Sequence, residues 1–151
     1  MPLAPQELKT FFITAVTANR RRLFQIESNA ELLLKLFNED RAKNRYQVHA
    51  FVIMPDHIHL LITPAPDISI EKAMQFIKGG FSFRLKSKRD TWQSGFTKRR
   101  IEDAKDYANH VNYIHENPVR AKLCARPEDF RYSSANIFPI DPTPEHLKPQ
   151  G

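Results

Sequence analysis

Apolar and polar residues recur along this chain with two different periods, and each change of period marks an element. Phe11–Thr17 (FFITAVT) is aromatic and β-branched and predicts a first strand. After a basic stretch at Arg20, Arg21 and Arg22, the residues Leu32, Leu33, Leu36 and Phe37 share one helical face. They predict a helix over 30–43 with Asn29 as its N-cap. Tyr46–Met54 and His57–Thr63 are strand-like runs separated only by Pro55-Asp56, the composition of a tight hairpin turn. Ile70, Ala73, Met74 and Ile77 predict a second helix after Ser69, continued by Phe81 and Leu85 across Gly79-Gly80. That glycine pair is a weak point, since each glycine costs roughly 1 kcal/mol relative to alanine. Trp92–Lys98 predicts another strand. A third helix follows over 103–117, stopped by Pro118. The stretch 138–151 holds four prolines and little periodicity, which predicts an extended or disordered tail.

The resulting order, β-α-β-β-α-β-α, predicts an α+β, ferredoxin-like fold. An antiparallel sheet carries helices on one face, with a C-terminal helix bearing a tyrosine; the other face is left for function or for that third helix. No repeat or linker divides the chain, so residues 1–136 are expected to form a single domain and residues 137–151 a Pro-rich tail.

Composition narrows the partners. The 151 residues include 23 Lys+Arg and 17 Asp+Glu, a formal net charge of +6. Lys78–Arg100 alone holds Lys78, Arg84, Lys86, Lys88, Arg89, Lys98, Arg99 and Arg100 against one acid, Asp90, a net of +7; the rest of the chain nets −1. Phe81, Phe83, Trp92 and Phe96 are interleaved with these cations. That mixture suits a nucleic-acid strand, whose phosphates attract Lys/Arg and whose bases stack on rings; the alternative is a solvated helix face with its core aromatics. One cysteine, Cys124, excludes an internal disulfide and a cysteine-rich zinc site and favours a reducing, cytoplasmic setting. The apolar runs are strand-sized, so no membrane segment is expected.

Strand alternation places His57 and His59 on one face and Ile58, Leu60 and Ile62 on the other. The two imidazoles either share a divalent ion or are surface histidines of an edge strand. On the third helix, Ala104, Tyr107, Ala108, Val111 and Ile114 form the apolar stripe. Tyr113 lies nearly opposite it with Asp106, Asn109, His110, Glu116 and Asn117. Tyr107 therefore reads as core, whereas the Tyr113 phenol is free to react or is an ordinary surface group. Asn117, one turn on, can reach whatever sits beside it. Two imidazoles, an amide oxygen and a phenol can make a phosphoryl-transfer site.

Val52-Ile53-Met54-Pro55-Asp56-His57-Ile58-His59-Leu60-Leu61 resembles the His-hydrophobe-His strand of the single-tyrosine ("HUH") transposases. Tyr113-Ile114-His115-Glu116-Asn117-Pro118-Val119-Arg120-Ala121 resembles the helix motif of their REP-associated tyrosine transposase group. Trp92-Gln93, Gly95-Phe96, Asp106-Tyr107 and Phe130-Arg131-Tyr132-Ser133-Ser134 follow the same pattern in the same order. The likeness covers about residues 10–135. It implies a metal-dependent single-stranded DNA endonuclease and strand-transfer enzyme that nicks near hairpins through a 5′-phosphotyrosine. By position, Tyr113 would be the nucleophile, His57, His59 and Asn117 the ligands of Mg²⁺ or Mn²⁺, and the enzyme a monomer or homodimer working in the cytoplasm at the nucleoid. Arg20, Arg21, Arg22, the eight cations of the basic window and Trp92 would hold the DNA. Where many relatives carry a histidine after the Trp-Gln segment, this chain has Arg99. The competing readings are a non-catalytic nucleic-acid-binding module on the same fold, and a metal phosphoesterase that uses water.

Overall fold

A computed structural model describes residues 8–136 and 140–149. Its main elements are β1 (Phe11–Val16), α1 (Glu27–Ala42), β2 (Tyr46–Met54), β3 (His57–Pro64), α2 (Ile70–Leu85), β4 (Thr97–Arg100) and α3 (Ala104–Arg120). The strands form one antiparallel sheet in the order β2-β3-β1-β4, the ferredoxin-like arrangement expected from the element order. Pro55-Asp56 closes the β2–β3 hairpin as predicted.

The two faces of the sheet carry separate cores. On one, Ile13, Ala15, Ile58, Leu60 and Ile62 pack under α1 and α2 through Leu33, Leu36, Phe37, Met74, Ile77 and Phe81. Ser69 caps α2 with its Oγ accepting from the Lys72 N–H at 3.0 Å, and the helix runs unbroken through the glycine pair. Gly80 has a steric reason: a Cβ there would sit 3.1 Å from a Leu36 methyl, so its absence lets α1 and α2 approach. On the opposite face, Ala50, Val52, Met54 and Leu61 meet Ile101, Tyr107 and Ile114, so the third helix covers part of the face left open by the pattern.

Several boundaries differ from expectation. Helix α1 starts at Glu27, with Ile26 at its N-cap; Asn29 lies inside and donates instead to the Leu23 carbonyl at 2.8 Å. The last strand is Thr97–Arg100, while Trp92 makes only an isolated bridge to Thr17. Pro118 does not stop α3, which continues to Arg120. Pro118 donates no amide bond to the Ile114 carbonyl, but the chain beyond it closes the helix end through Ala121 N–H to the Asn117 carbonyl at 3.0 Å and Leu123 N–H to the Pro118 carbonyl at 2.9 Å.

The C-terminal tail is extended but docked. Asp141 accepts a two-pronged contact from Arg41 and the Val48 N–H at 2.8 Å, while its own N–H donates to the Val48 carbonyl. Just beyond, β2 carries one residue more than β3 opposite it, between Val48 and Ala50. That extra residue, His49, is buried. Its Nδ1–H donates to the Pro142 carbonyl at 2.8 Å and its Nε2 accepts from Thr63. Leu147 then enters the second core, 1% exposed. No helix among the described residues is long and apolar enough to cross a membrane.

Candidate active site

Antiparallel pairing brings the chemistry together. Val16 faces His57 and Thr14 faces His59 across β1–β3, so Phe12, Thr14, Val16, His57 and His59 share the α3 side of the sheet. The imidazole rings of His57 and His59 are 4.8 Å apart between centroids. Helix α3 lies across this face with Tyr113 turned toward them. The Tyr113 ring is 5.6 Å from that of His59, although 54 positions separate them in the chain. Residues Thr14, Arg20, His57, His59, Tyr113, Asn117 and Arg120 line a common open cleft of about 410 Å³. A hollow of about 480 Å³ at the other end of the same strands, lined by Lys9, Asp67, Glu71 and Lys98, contains no comparable constellation.

The histidines are oriented from behind. Asp56 Oδ1 lies 2.7 Å from His57 Nδ1, and Thr14 Oγ1 lies 2.9 Å from His59 Nδ1. The Asp56 carboxylate can only accept, which assigns the His57 proton to Nδ1 and leaves its Nε2 as the lone-pair nitrogen, while the Thr14 hydroxyl holds the His59 ring through Nδ1. Burial, then the neighbouring His57 and Arg120 charges, push the His59 pKa down to about 3, so it is neutral and ready to ligate at physiological pH. Among the described residues no group of three His, Cys, Asp or Glu could hold a metal. The Asn117 side chain lines the same cleft one turn beyond Tyr113. Two imidazoles and an amide oxygen fit a divalent cation with open positions.

Phe12 is a site residue that sequence reasoning missed. Its ring stacks on His59 at 5.3 Å and 19°, meets Tyr113 edge-on at 5.7 Å, and touches His110 at 4.8 Å. It is the apolar floor that holds these rings at fixed angles. Asp56, which pairs with both His57 and Arg20, was also missed as more than a turn residue. Period-two alternation of FFITAVT could have grouped Phe12 with Thr14, but only the cross-strand register shows which histidine they meet.

The cations divide into two kinds. Asn19 and Arg20 both adopt left-handed backbone, at φ 54° and 50°, and the tight turn they form holds Arg20 against Asp56 at 3.2 Å. Arg21 donates to the Asp90 carbonyl and Ala18 N–H to the Thr91 carbonyl, so the loop carrying Arg20, Arg21 and Arg22 lies against the segment that follows Lys86, Lys88 and Arg89. Arg22, Lys86, Lys88 and Arg89 are exposed, as are Lys98, Arg99 and Arg100 on edge strand β4. Lys98 pairs with Glu71, and Arg99, opposite Phe12 in register, with Asp106.

Other members of the set serve the scaffold. Lys78 donates to the carbonyls of Gln93 and Gly95, and Arg84 pairs with Glu39. Trp92 packs its ring on Phe24 and Phe81 and donates its indole N–H to the Lys78 carbonyl, which places it at the rim of the core rather than on a stacking platform. Phe83, for which core placement was the alternative to base stacking, is 80% exposed. His115 is tied to Ser134 at 2.7 Å and anchors the segment after α3 to β2.

Known proteins share both the sequence pattern and the fold of this chain. The chain is 27% identical over 139 residues to the REP-associated tyrosine transposase of Escherichia coli K12, covering 87% of this chain and 83% of that protein. It is 34% identical over 116 residues to a putative REP-associated tyrosine transposase of Haemophilus influenzae, covering 64% and 66% of the two chains. Among solved structures, a REP-associated tyrosine transposase bound to a REP hairpin superposes with a TM-score of 0.75 at 28% identity, over 83% of this chain and 76% of that one. A putative transposase from Deinococcus radiodurans shares the fold, with a TM-score of 0.55 at 19% identity, over 72% and 90%. Residues 7–117, which take in both histidines, Tyr113 and Asn117, match the family described as "Transposase IS200 like", and the chain therefore belongs to the IS200-like transposases.

Proposed function

We propose that the chain cuts and rejoins single-stranded DNA near hairpins, with Tyr113 as nucleophile and a covalent 5′-phosphotyrosine as intermediate. The observation that carries this reading is the approach of the Tyr113 ring to His59, in one cleft with His57 and Asn117. A non-catalytic module has no use for an exposed phenol beside two back-bonded imidazoles. The solved relative in complex with a REP hairpin supports hairpin DNA as the partner.

In this mechanism the Tyr113 Oη attacks phosphorus and loses its proton to solvent. A P–O bond to tyrosine forms as the P–O3′ bond breaks, and the departing O3′ takes up a proton to leave a free 3′-hydroxyl. Rejoining reverses these steps with a second 3′-hydroxyl as attacker. His57, His59 and Asn117 would hold Mg²⁺ or Mn²⁺, which when bound neutralises charge on the phosphate oxygens. Asp56 keeps the His57 tautomer and Thr14 the His59 ring in place, and Phe12 keeps water from the inner side of the rings. Arg20, Arg21, Arg22, Lys86, Lys88 and Arg89 form a basic approach to the cleft for the phosphate backbone, with Lys98, Arg99 and Arg100 on β4 as a second contact surface. The catalytic unit is a monomer or a homodimer of this chain. A role on chromosomal DNA fits a protein working in the cytoplasm at the nucleoid.

The test uses labelled hairpin-bearing single-stranded DNA with Mn²⁺ or Mg²⁺, resolved on a denaturing gel. A covalent protein–DNA band in the wild type, absent from Tyr113→Phe, is the expected result. Cleavage that survives Tyr113→Phe replaces tyrosine with water as nucleophile. Tight binding without cleavage of any substrate leaves a binding module.

A further inference from the structure

We propose that Arg120 clamps Tyr113 in position for attack and presents its remaining guanidinium N–H groups to the phosphate that Tyr113 attacks. This rests on the reading of Tyr113 as nucleophile. Because α3 continues through Pro118, Arg120 stands seven residues beyond Tyr113, nearly two full turns, and on the same face. Its guanidinium carbon lies 4.3 Å from the Tyr113 ring centroid, and its Nη2 donates to the Tyr113 carbonyl at 2.9 Å. One side chain thus fixes both the backbone and the ring of the proposed nucleophile.

The charge of Arg120 is also uncommitted. Arg20, the other arginine lining the cleft, pairs with Asp56, whereas among the described residues no carboxylate pairs with Arg120. An arginine has five N–H donors in a planar fork, and a single one of them goes to the Tyr113 carbonyl. Arg120 lines the cleft together with His57, His59 and Asn117, where a phosphate oxygen must sit for Tyr113 to reach phosphorus, so the remaining donors are available to it. Arg120 neither gains nor loses a proton in this role. It orients the attacking ring and opposes the negative charge that grows on the phosphate as it passes through five-coordination.

Single-turnover adduct formation and DNA affinity are measured separately on a panel of labelled hairpin oligonucleotides with Mn²⁺, for wild type, Arg120→Ala, Arg120→Lys and Arg120→Gln. Removing one preorganised donor should slow adduct formation about 100-fold in Arg120→Ala. Affinity should fall by less than about fivefold, since one phosphate contact is lost among many. Arg120→Lys keeps the charge without the flat ring contact and should recover about tenfold of the loss. Arg120→Gln, which keeps a donor for the Tyr113 carbonyl, stands in if the alanine variant does not fold, and should be slow. Adduct formation within about threefold of wild type in these variants overturns the role, as does a loss confined to affinity. Absence of a wild-type adduct overturns the phosphotyrosine reading and this role with it; a wild-type adduct matched by Arg120→Ala overturns this role alone.

Discussion

The Asp56 carboxylate sits 2.7 Å from Nδ1 of His57, on the turn that immediately precedes the histidine strand, and its second oxygen accepts from Arg20 at 3.2 Å. Burial works against its charge, yet the hydrogen bonds from His57 and Arg20 together hold the Asp56 carboxyl below the usual range. The hairpin turn therefore fixes which imidazole nitrogen faces the cleft. A carboxylate behind a ligating histidine is typically worth about 10–100-fold in metal affinity. We expect Asp56→Ala to weaken Mn²⁺ binding by about that factor, and Asp56→Asn, which keeps an acceptor oxygen, by less. Calorimetric titration with Mn²⁺ measures both; an unchanged affinity in Asp56→Ala would remove Asp56 from the site.

The two kinds of cation give a contrast in salt dependence. Each phosphate contact contributes close to one unit to the slope of log K against log salt. Exposed Lys88 and Arg89 should each reduce that slope on mutation to alanine, by up to about one unit. Lys78 already holds the carbonyls of Gln93 and Gly95, so Lys78→Met should lower the melting temperature and leave the slope nearly unchanged. Equal slopes for Lys88→Ala and Lys78→Met would break the division.

Local pattern carried most of the fold, and it failed where tertiary contacts overrule local preference. Ser69 and the Pro55-Asp56 turn behave as their chemistry dictates because capping and turn formation are decided within a few residues. Pro118 does not, because its helix is already held by Tyr107 and Ile114 in the core and loses little in its last turn. Ending the helix at Asn117 is also what hid Arg120, which only a continued helix sets over Tyr113. His57, His59 and Tyr113 could be named from alternation, helical phase and resemblance, but their approach depends on the β1–β3 register and the seating of α3. Phe12 and Thr14 belong to the site through that register alone.

The C-terminal tail is expected to contribute to stability despite its prolines. Leu147 is 1% exposed within the core between α3 and the sheet, and Asp141 closes a four-bond junction with Arg41 and Val48. Emptying a buried leucine site costs about 2–5 kcal/mol. Leu147→Ala should therefore lower the unfolding free energy within that range, measured by urea denaturation, with adduct formation retained at low temperature. A change below about 0.5 kcal/mol would show that the tail does not hold this position in solution.

Stability should also fall on mild acidification, through histidines that fold in the neutral form. Burial pushes the His49 pKa below its ordinary value of 6.5, against the opposing pull of its bonds to the tail and the nearby Asp141 charge. His59 shifts the same way, to about 3, again chiefly through burial. A histidine with a depressed folded pKa leaves the unfolded chain binding more protons below pH 6.5, so its stabilising contribution is complete above that value and declines as pH falls toward the folded pKa. Each such group adds up to about 1.4 kcal/mol of lost stability per pH unit across that window. His49→Gln retains a donor for the Pro142 carbonyl and an acceptor for Thr63 but cannot titrate. Between pH 6.5 and 5 its unfolding free energy should therefore decline less steeply than that of wild type, by at most about one proton's worth, while above pH 7 the two curves run parallel. Denaturant titrations across pH 5–8 give both slopes. Identical slopes below pH 6.5 would mean that His49 is not buried against Thr63 and Pro142 in the folded protein.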